Sequence, residues 1–114
     1  MKSEKSKIQG IVKELVSNSL NADAEEVNVK INNKKEFTKV TVADDGQGMN
    51  EDILDKVNGI LNQSRRDELE EYYGDLAGNT GSASGLNIVS MLVDKAQVTS
   101  KRGVGTKIMV LRKK

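Results

Sequence analysis

The chemistry in this chain starts from Glu14, Asn18 and Asn21, spaced four and three residues apart. In a helix each residue advances roughly 100° around the axis, so the three share an arc of about 60° along one edge of an apolar stripe. A carboxylate and an amide oxygen at that spacing can serve one ligand. The carboxylate orients and deprotonates a nucleophile while the amide oxygen takes a position on Mg²⁺. The same three residues, read alone, also describe a partly solvated helix border.

Three further segments carry candidate residues. In Asp44-Asp45-Gly46-Gln47-Gly48-Met49 the two glycines let the backbone approach a flat ligand, and Asp44 is placed to accept from an exocyclic amine. An acidic lead-in to a Gly-rich turn looks the same. Gly78 to Gly85, rich in small hydroxyls, runs directly into an apolar helix. Free N–H groups at such a helix start suit phosphate oxygens, and a flexible linker capped at Ser84 is the plainer reading. It is not a Walker loop, since no Gly-Lys-Ser/Thr follows at the required spacing. Gly103-Val104-Gly105-Thr106 is, by itself, an ordinary hairpin turn.

Composition limits what these residues can do. The 114-residue chain contains no His, no Cys and no Pro, and its 18 Lys+Arg against 17 Asp+Glu leave a formal charge of +1. Without His there is no imidazole base and no phosphohistidine on this chain, and without Cys there is no disulfide or thiolate metal site. Catalysis falls to carboxylates, amides, hydroxyls, Lys/Arg, backbone N–H groups and a hard cation. The near-zero charge and three aromatics (Phe37, Tyr72, Tyr73) argue against nucleic-acid binding. The longest apolar run, Ile88 to Val93, is far short of a membrane span, and the N-terminus MKSEKSK lacks a signal-peptide core, so a cytoplasmic location with no membrane contact is expected. The basic ends, Lys2, Lys5 and Lys7 at one and Arg112, Lys113 and Lys114 at the other, read as solvated tails.

The elements that must position these residues follow from periodicity. Residues 4–21 read as an amphipathic helix through Ile8, Ile11, Val12, Leu15, Val16 and Leu20. Val27, Val29 and Ile31 form a strand, Asn32-Asn33 a turn, and Lys39 to Ala43 a second strand. Asn50 caps a helix with Glu51 and Asp52 in its first turn and a stripe of Ile53, Leu54, Val57, Ile60 and Leu61. Periodicity fails from Asn62 to Ser84, read as a mobile loop. A helix resumes near Gly85, and strands 96–100 and 106–112 close the chain around the 101–105 turn. The order predicts one α/β (α+β) domain over 1–114: a two-layer sandwich, with a mixed sheet of about four strands and about three helices on one face.

In this order and at these spacings the four segments resemble the GHKL ATPase superfamily, which includes gyrase, heat-shock chaperone clamps, mismatch-repair ATPases, sensor histidine kinases and bacterial anti-sigma serine kinases. ELVSNSLNADA (14–24) looks like the family's N-box, DDGQGM (44–49) like its DxGxG box, GSASGLNIV (81–89) like its second glycine box and GTK (105–107) like its last. The resemblance implies the Bergerat-type fold, with ATP and Mg²⁺ as cofactors. It makes Glu14 the general base, Asn18 the Mg²⁺ ligand, and Asn21 a neighbour of the phosphates. Asp44 would accept from the adenine amino group with Thr106 supporting through water, while Gly46, Gly48 and Met49 shape the adenine pocket. Residues 62–84 would be the ATP lid, with Gly81, Gly85 and Leu86 its hinge and phosphate-facing helix start. Arg65 or Arg66 would neutralise the γ-phosphate, or simply join the neighbouring acids in a solvated ion-pair run. Two departures stand out: Ala83 and Ser84 replace the Gly and Leu of the histidine-kinase box, and the lid lacks that subfamily's phenylalanine pair, the one Phe being Phe37.

The stretch after the third helix looks most like the anti-sigma serine kinases, whereas histidine kinases typically place a His-Gly-Gly between that helix and strand, where this chain has Val93-Asp94-Lys95-Ala96. The expected activity is transfer of the γ-phosphate of ATP to a partner protein's serine. Two alternatives are the catalytic domain of a sensor histidine kinase, whose commoner Asn stands where this chain has Glu14, and a nucleotide-gated binding module with little turnover. Expected partners are ATP/ADP and a protein phosphoacceptor or regulator. The family's frequent dimerisation leaves a homodimer open.

Overall fold

The computed structural model describes residues 3–62 and 82–114, the side chains of 82–84 excepted. Helix α1 spans Glu4–Asn21, and its N-cap Ser3 accepts a hydrogen bond from Ser6 N–H at 3.1 Å. It ends where Asp23 turns the chain with a positive φ of 60°. Strands β1 (Val27–Asn33) and β2 (Phe37–Asp44) follow, then α2 (Glu51–Leu61), α3 (Ser82–Leu92), β3 (Lys95–Lys101) and β4 (Gly105–Lys113). As expected, Asn50 caps α2, its side chain accepting from Ile53 N–H at 2.9 Å.

The sheet order is β1-β2-β4-β3 and every adjacent pair is antiparallel. The expected mixed sheet is therefore corrected. The helical crossover from β2 brings β3 back parallel to β2, but β4 folds into the gap and pairs antiparallel with both. The three helices pack on one face of this sheet, α1 over β1 and β2, α2 over β3, and α3 between the other two helices. Their apolar faces meet Val40, Val42, Val98, Ile108 and Val110 in a core that also takes Ile11, Leu15, Val57, Leu61, Val89 and Leu92. Each such side chain contributes about 1.5–3 kcal/mol. Because α3 packs between α1 and α2, Gly85, Leu86, Ile88, Val89, Ser90 and Leu92 are all buried, which blurs its amphipathic signature.

Other differences from expectation have local causes. Asn32 and Asn33 belong to β1, not to a turn, because Asn33 pairs with Thr38 and its side-chain oxygen accepts from Thr38 Oγ1 at 2.9 Å. The reversal is made by residues 34–36, with Lys34 N–H donating to Phe37 O. Ile53 is exposed, bordering a cleft with Gln47, Gly48 and Arg102 rather than joining the α2 stripe in the core. Helix α3 begins at Ser82, three residues before Gly85, so Ser84 lies inside the helix instead of capping it. Arg112 is no solvated tail. It faces the helix layer, fully buried, donating from Nη1 to Leu92 O at 2.7 Å and from Nη2 and Nε to the Glu4 carboxylate at 2.6 and 3.1 Å. It ties the start of α1 to the carbonyl end of α3, where a cation is favoured.

Candidate functional site

A polar row crosses the helix-facing side of the sheet at one end. Asp44 on β2 is the direct cross-strand partner of Thr106 on β4, and Thr106 is that of Ser100 on β3. Above this row, the last turns of α1 bring Ser19, whose hydroxyl donates to Asp44 Oδ2 at 2.6 Å. Gly46 N–H donates to Asp44 Oδ1 at 2.9 Å. Both carboxylate oxygens are thus held, and each keeps a lone pair for a ligand donor. Ser100 gathers the other half of the row: its Oγ lies 2.7 Å from Thr106 Oγ1, accepts from Met49 N–H at 2.8 Å and reaches Gly105 O at 3.1 Å. Ser19, Ser100 and Thr106 hydroxyls therefore fix the β2–α2 loop and Asp44 relative to each other.

The loop after β2 is seated on the end of α1. Gln47 N–H donates to Ala22 O at 2.9 Å, and Gly46 is buried against Ala22. Asp45 Oδ1 accepts from Glu25 and Glu26 N–H at 2.9 and 3.0 Å. These backbone donors, Glu26 first, hold its carboxyl below the usual aspartate value. Gly48 has φ +73°, and a side chain there would run into the Lys101 carbonyl of the β3–β4 turn. Gly103 N–H of that turn donates back to Gln47 O at 2.7 Å.

Glu14 forms the second part of the site. It is buried between α1 and α3, and among the described residues its Oε1 is the buried side-chain oxygen with no hydrogen-bond partner. Its Oε2 occupies the space a Cβ on Gly85 would need, 2.5 Å away. Only a glycine in the first turn of α3 admits that carboxylate. A buried, unpartnered carboxylate oxygen is costly, which singles Glu14 out as a group kept for something other than stability. Asn18, half-buried, follows one turn along α1, and Asn21 is exposed at its last residue.

Of the other expected residues, Leu86 is a core side chain and its amide is already inside the helix, so it packs α3 rather than facing phosphate. Gly81, Arg65, Arg66 and nearly all of the 62–84 lid lie outside the described residues, as do the side chains of Ala83 and Ser84. Sequence reasoning missed Ser19 and Ser100. Each had a signal: Ser19 stands four residues after Leu15 in the apolar stripe, and Ser100 continues the inward alternation of Ala96 and Val98. A hydroxyl at a core position must find a partner.

The donors fit a bound Mg·ATP. Asp44 offers a held acceptor for an amino group, and the Glu14 carboxylate sits by the first turn of α3 with Asn18 one turn further along α1. Among the described residues no group of three or more His, Cys, Asp or Glu converges on a metal position. The fold is a two-layer α/β sandwich with this polar row at one end of its sheet. The family model of the histidine kinase-, DNA gyrase B- and HSP90-like ATPases matches residues 6–113, and the chain belongs to that family. No curated relative matches it. Among the described residues no helix is long and apolar enough to cross a membrane.

Proposed function

We propose that the chain is a single Mg²⁺-dependent kinase domain that moves the γ-phosphoryl group of ATP to a serine hydroxyl of a partner protein, as anti-sigma serine kinases do. Membership of the ATPase family supports nucleotide binding and phosphoryl chemistry. The observation that carries the finer reading is the buried Glu14 carboxylate with Oε1 unpartnered beside the start of α3. In this reading Asp44, held by Ser19 and Gly46, accepts from the adenine amino group, and Thr106 supports it. Gly46, Gly48 and Met49 shape the adenine pocket, and Asn21 lies toward the phosphates. Asn18 would hold the cation through its amide oxygen, and Mg²⁺ held there would neutralise phosphate charge. Glu14 takes the proton of the incoming hydroxyl as that oxygen bonds to the γ-phosphorus and ADP departs with the bridging oxygen.

Glu14→Gln at saturating Mg·ATP tests the assignment: phosphate transfer should fall about 10²- to 10⁴-fold with nucleotide affinity nearly unchanged. Undiminished transfer would overturn it. Acid-labile phosphate on the acceptor would favour a histidine-kinase domain, and tight binding without turnover a nucleotide-gated module. Calorimetry with ADP and Mg²⁺ checks the ground they share, since absence of heat would end the nucleotide reading.

A further inference from the structure

The face of the sheet turned away from the helices is a second surface of distinct chemistry. The register puts Lys30, Lys39, Lys95, Lys101, Lys107 and Lys113 on it and not one Asp or Glu, in a chain whose total charges nearly balance. No described helix packs there. Lys39 and Lys95 are the two cross-strand neighbours of Leu111, with Met109 and Gln97 paired two residues along. Together they line a trough of about 430 Å³ whose floor is the apolar pair Met109 and Leu111.

We propose that this face docks an acidic amphipathic helix of a partner protein. Charge complementarity selects an anionic occupant, and the apolar floor selects one that also carries aliphatic side chains. Strands lie about 4.8 Å apart, so the backbones bearing Lys39 and Lys95 are about 10 Å apart across Leu111. Carboxylates at i and i+7 of a helix are separated by about 10.5 Å, with the i+3 and i+4 side chains between them. Such a helix sets its acids against both lysines and its leucines into the trough. Nucleic acid is disfavoured because, among the described residues, Phe37 is the face's one aromatic and offers no stacking platform by itself. The surface lies on the opposite side of the sheet from Asp44 and Glu14, so it is independent of the nucleotide reading.

The test is fluorescence anisotropy of the full chain with a synthetic helix of about 18 residues, leucines on one face and glutamates flanking them, at about 150 mM salt. Saturable binding is expected, weakened at least about tenfold when the glutamates become glutamines and again in Lys39→Glu/Lys95→Glu protein. A lysine-flanked version of the same helix should bind that doubly reversed protein in preference to the original. Lys39→Gln/Lys95→Gln gives a milder substitution should charge reversal impair folding, and Asp44 and Glu14 are untouched in both. No binding, equal binding by the glutamine peptide, indifference to the lysine substitutions, or tighter binding of a single-stranded oligonucleotide or an anionic lipid vesicle would each overturn the proposal.

Discussion

The carboxylate of Glu14 and the Cα of Gly85 share a space that admits only one of a carboxylate and a methyl group: a Cβ at position 85 would lie 2.5 Å from Glu14 Oε2. The yielding atom is the far end of a side chain, so Gly85→Ala should displace the carboxylate without disrupting the α1–α3 packing. Stability is expected to change by less than about 1 kcal/mol while ATP turnover falls about 10- to 100-fold, because small misplacements of a reacting group are expensive in rate. Thermal denaturation and phosphate release, measured on the same preparation, check both halves. Full turnover in the variant would mean that the position of Glu14 is immaterial.

Ser19 should matter to nucleotide affinity as well as to folding. Its 2.6 Å hydrogen bond fixes one oxygen of Asp44, and Gly46 N–H fixes the other. Ser19→Ala frees the carboxylate to rotate, and since hydrogen bonds to charged groups contribute about 1.5–3 kcal/mol, ADP affinity is expected to drop about tenfold or more. Isothermal calorimetry reads this directly. Asp44→Asn should weaken binding further, because it replaces an acceptor oxygen with a donor. Wild-type affinity in Ser19→Ala would show that Asp44 needs no such orientation.

Arg112 is a structural counterpart. It reaches three acceptor atoms from a fully buried position, while its partner Glu4 remains half-exposed. Arg112→Met should therefore cost about 2–4 kcal/mol in urea denaturation, since the Leu92 carbonyl and the start of α1 both lose their tie. Glu4→Gln should also destabilise, by about 1–3 kcal/mol, since it leaves the buried Arg112 guanidinium without its counter-charge. No loss in either variant would contradict the role of the pair in tying α1 to α3.

Which features were legible follows from what each depended on. Helix α1 announced itself through a regular apolar stripe, and Asn50 with Glu51 and Asp52 marked the start of α2, because both are local and periodic signals. Sheet order is not local: β4 entering between β2 and β3 is decided by packing across the whole domain, so the order of elements along the chain reads as a mixed sheet although every adjacent pair is antiparallel. Arg112 was misread because a basic tripeptide at a chain end resembles a solvated tail, and only the alternation of β4 turns it inward. Glu14 and Asp44 could be picked out by type and spacing, but Gly85's closeness to Glu14 and the grip of Ser19 on Asp44 are tertiary facts.

Acid should loosen the α1–β1 connection at Asp45. Its carboxylate accepts from Glu25 and Glu26 N–H, and these donors, Glu26 foremost, lower its folded pKa. A group whose folded pKa is depressed contributes stability that is present above its unfolded value and is lost as pH falls through the folded value. Asp45→Asn should therefore be less stable than wild type at neutral pH, with the gap narrowing as pH drops below the ordinary aspartate range and closing in stronger acid. Urea midpoints for both proteins across that range measure the gap. A difference independent of pH would assign the effect to hydrogen-bond geometry and not to the charge of Asp45.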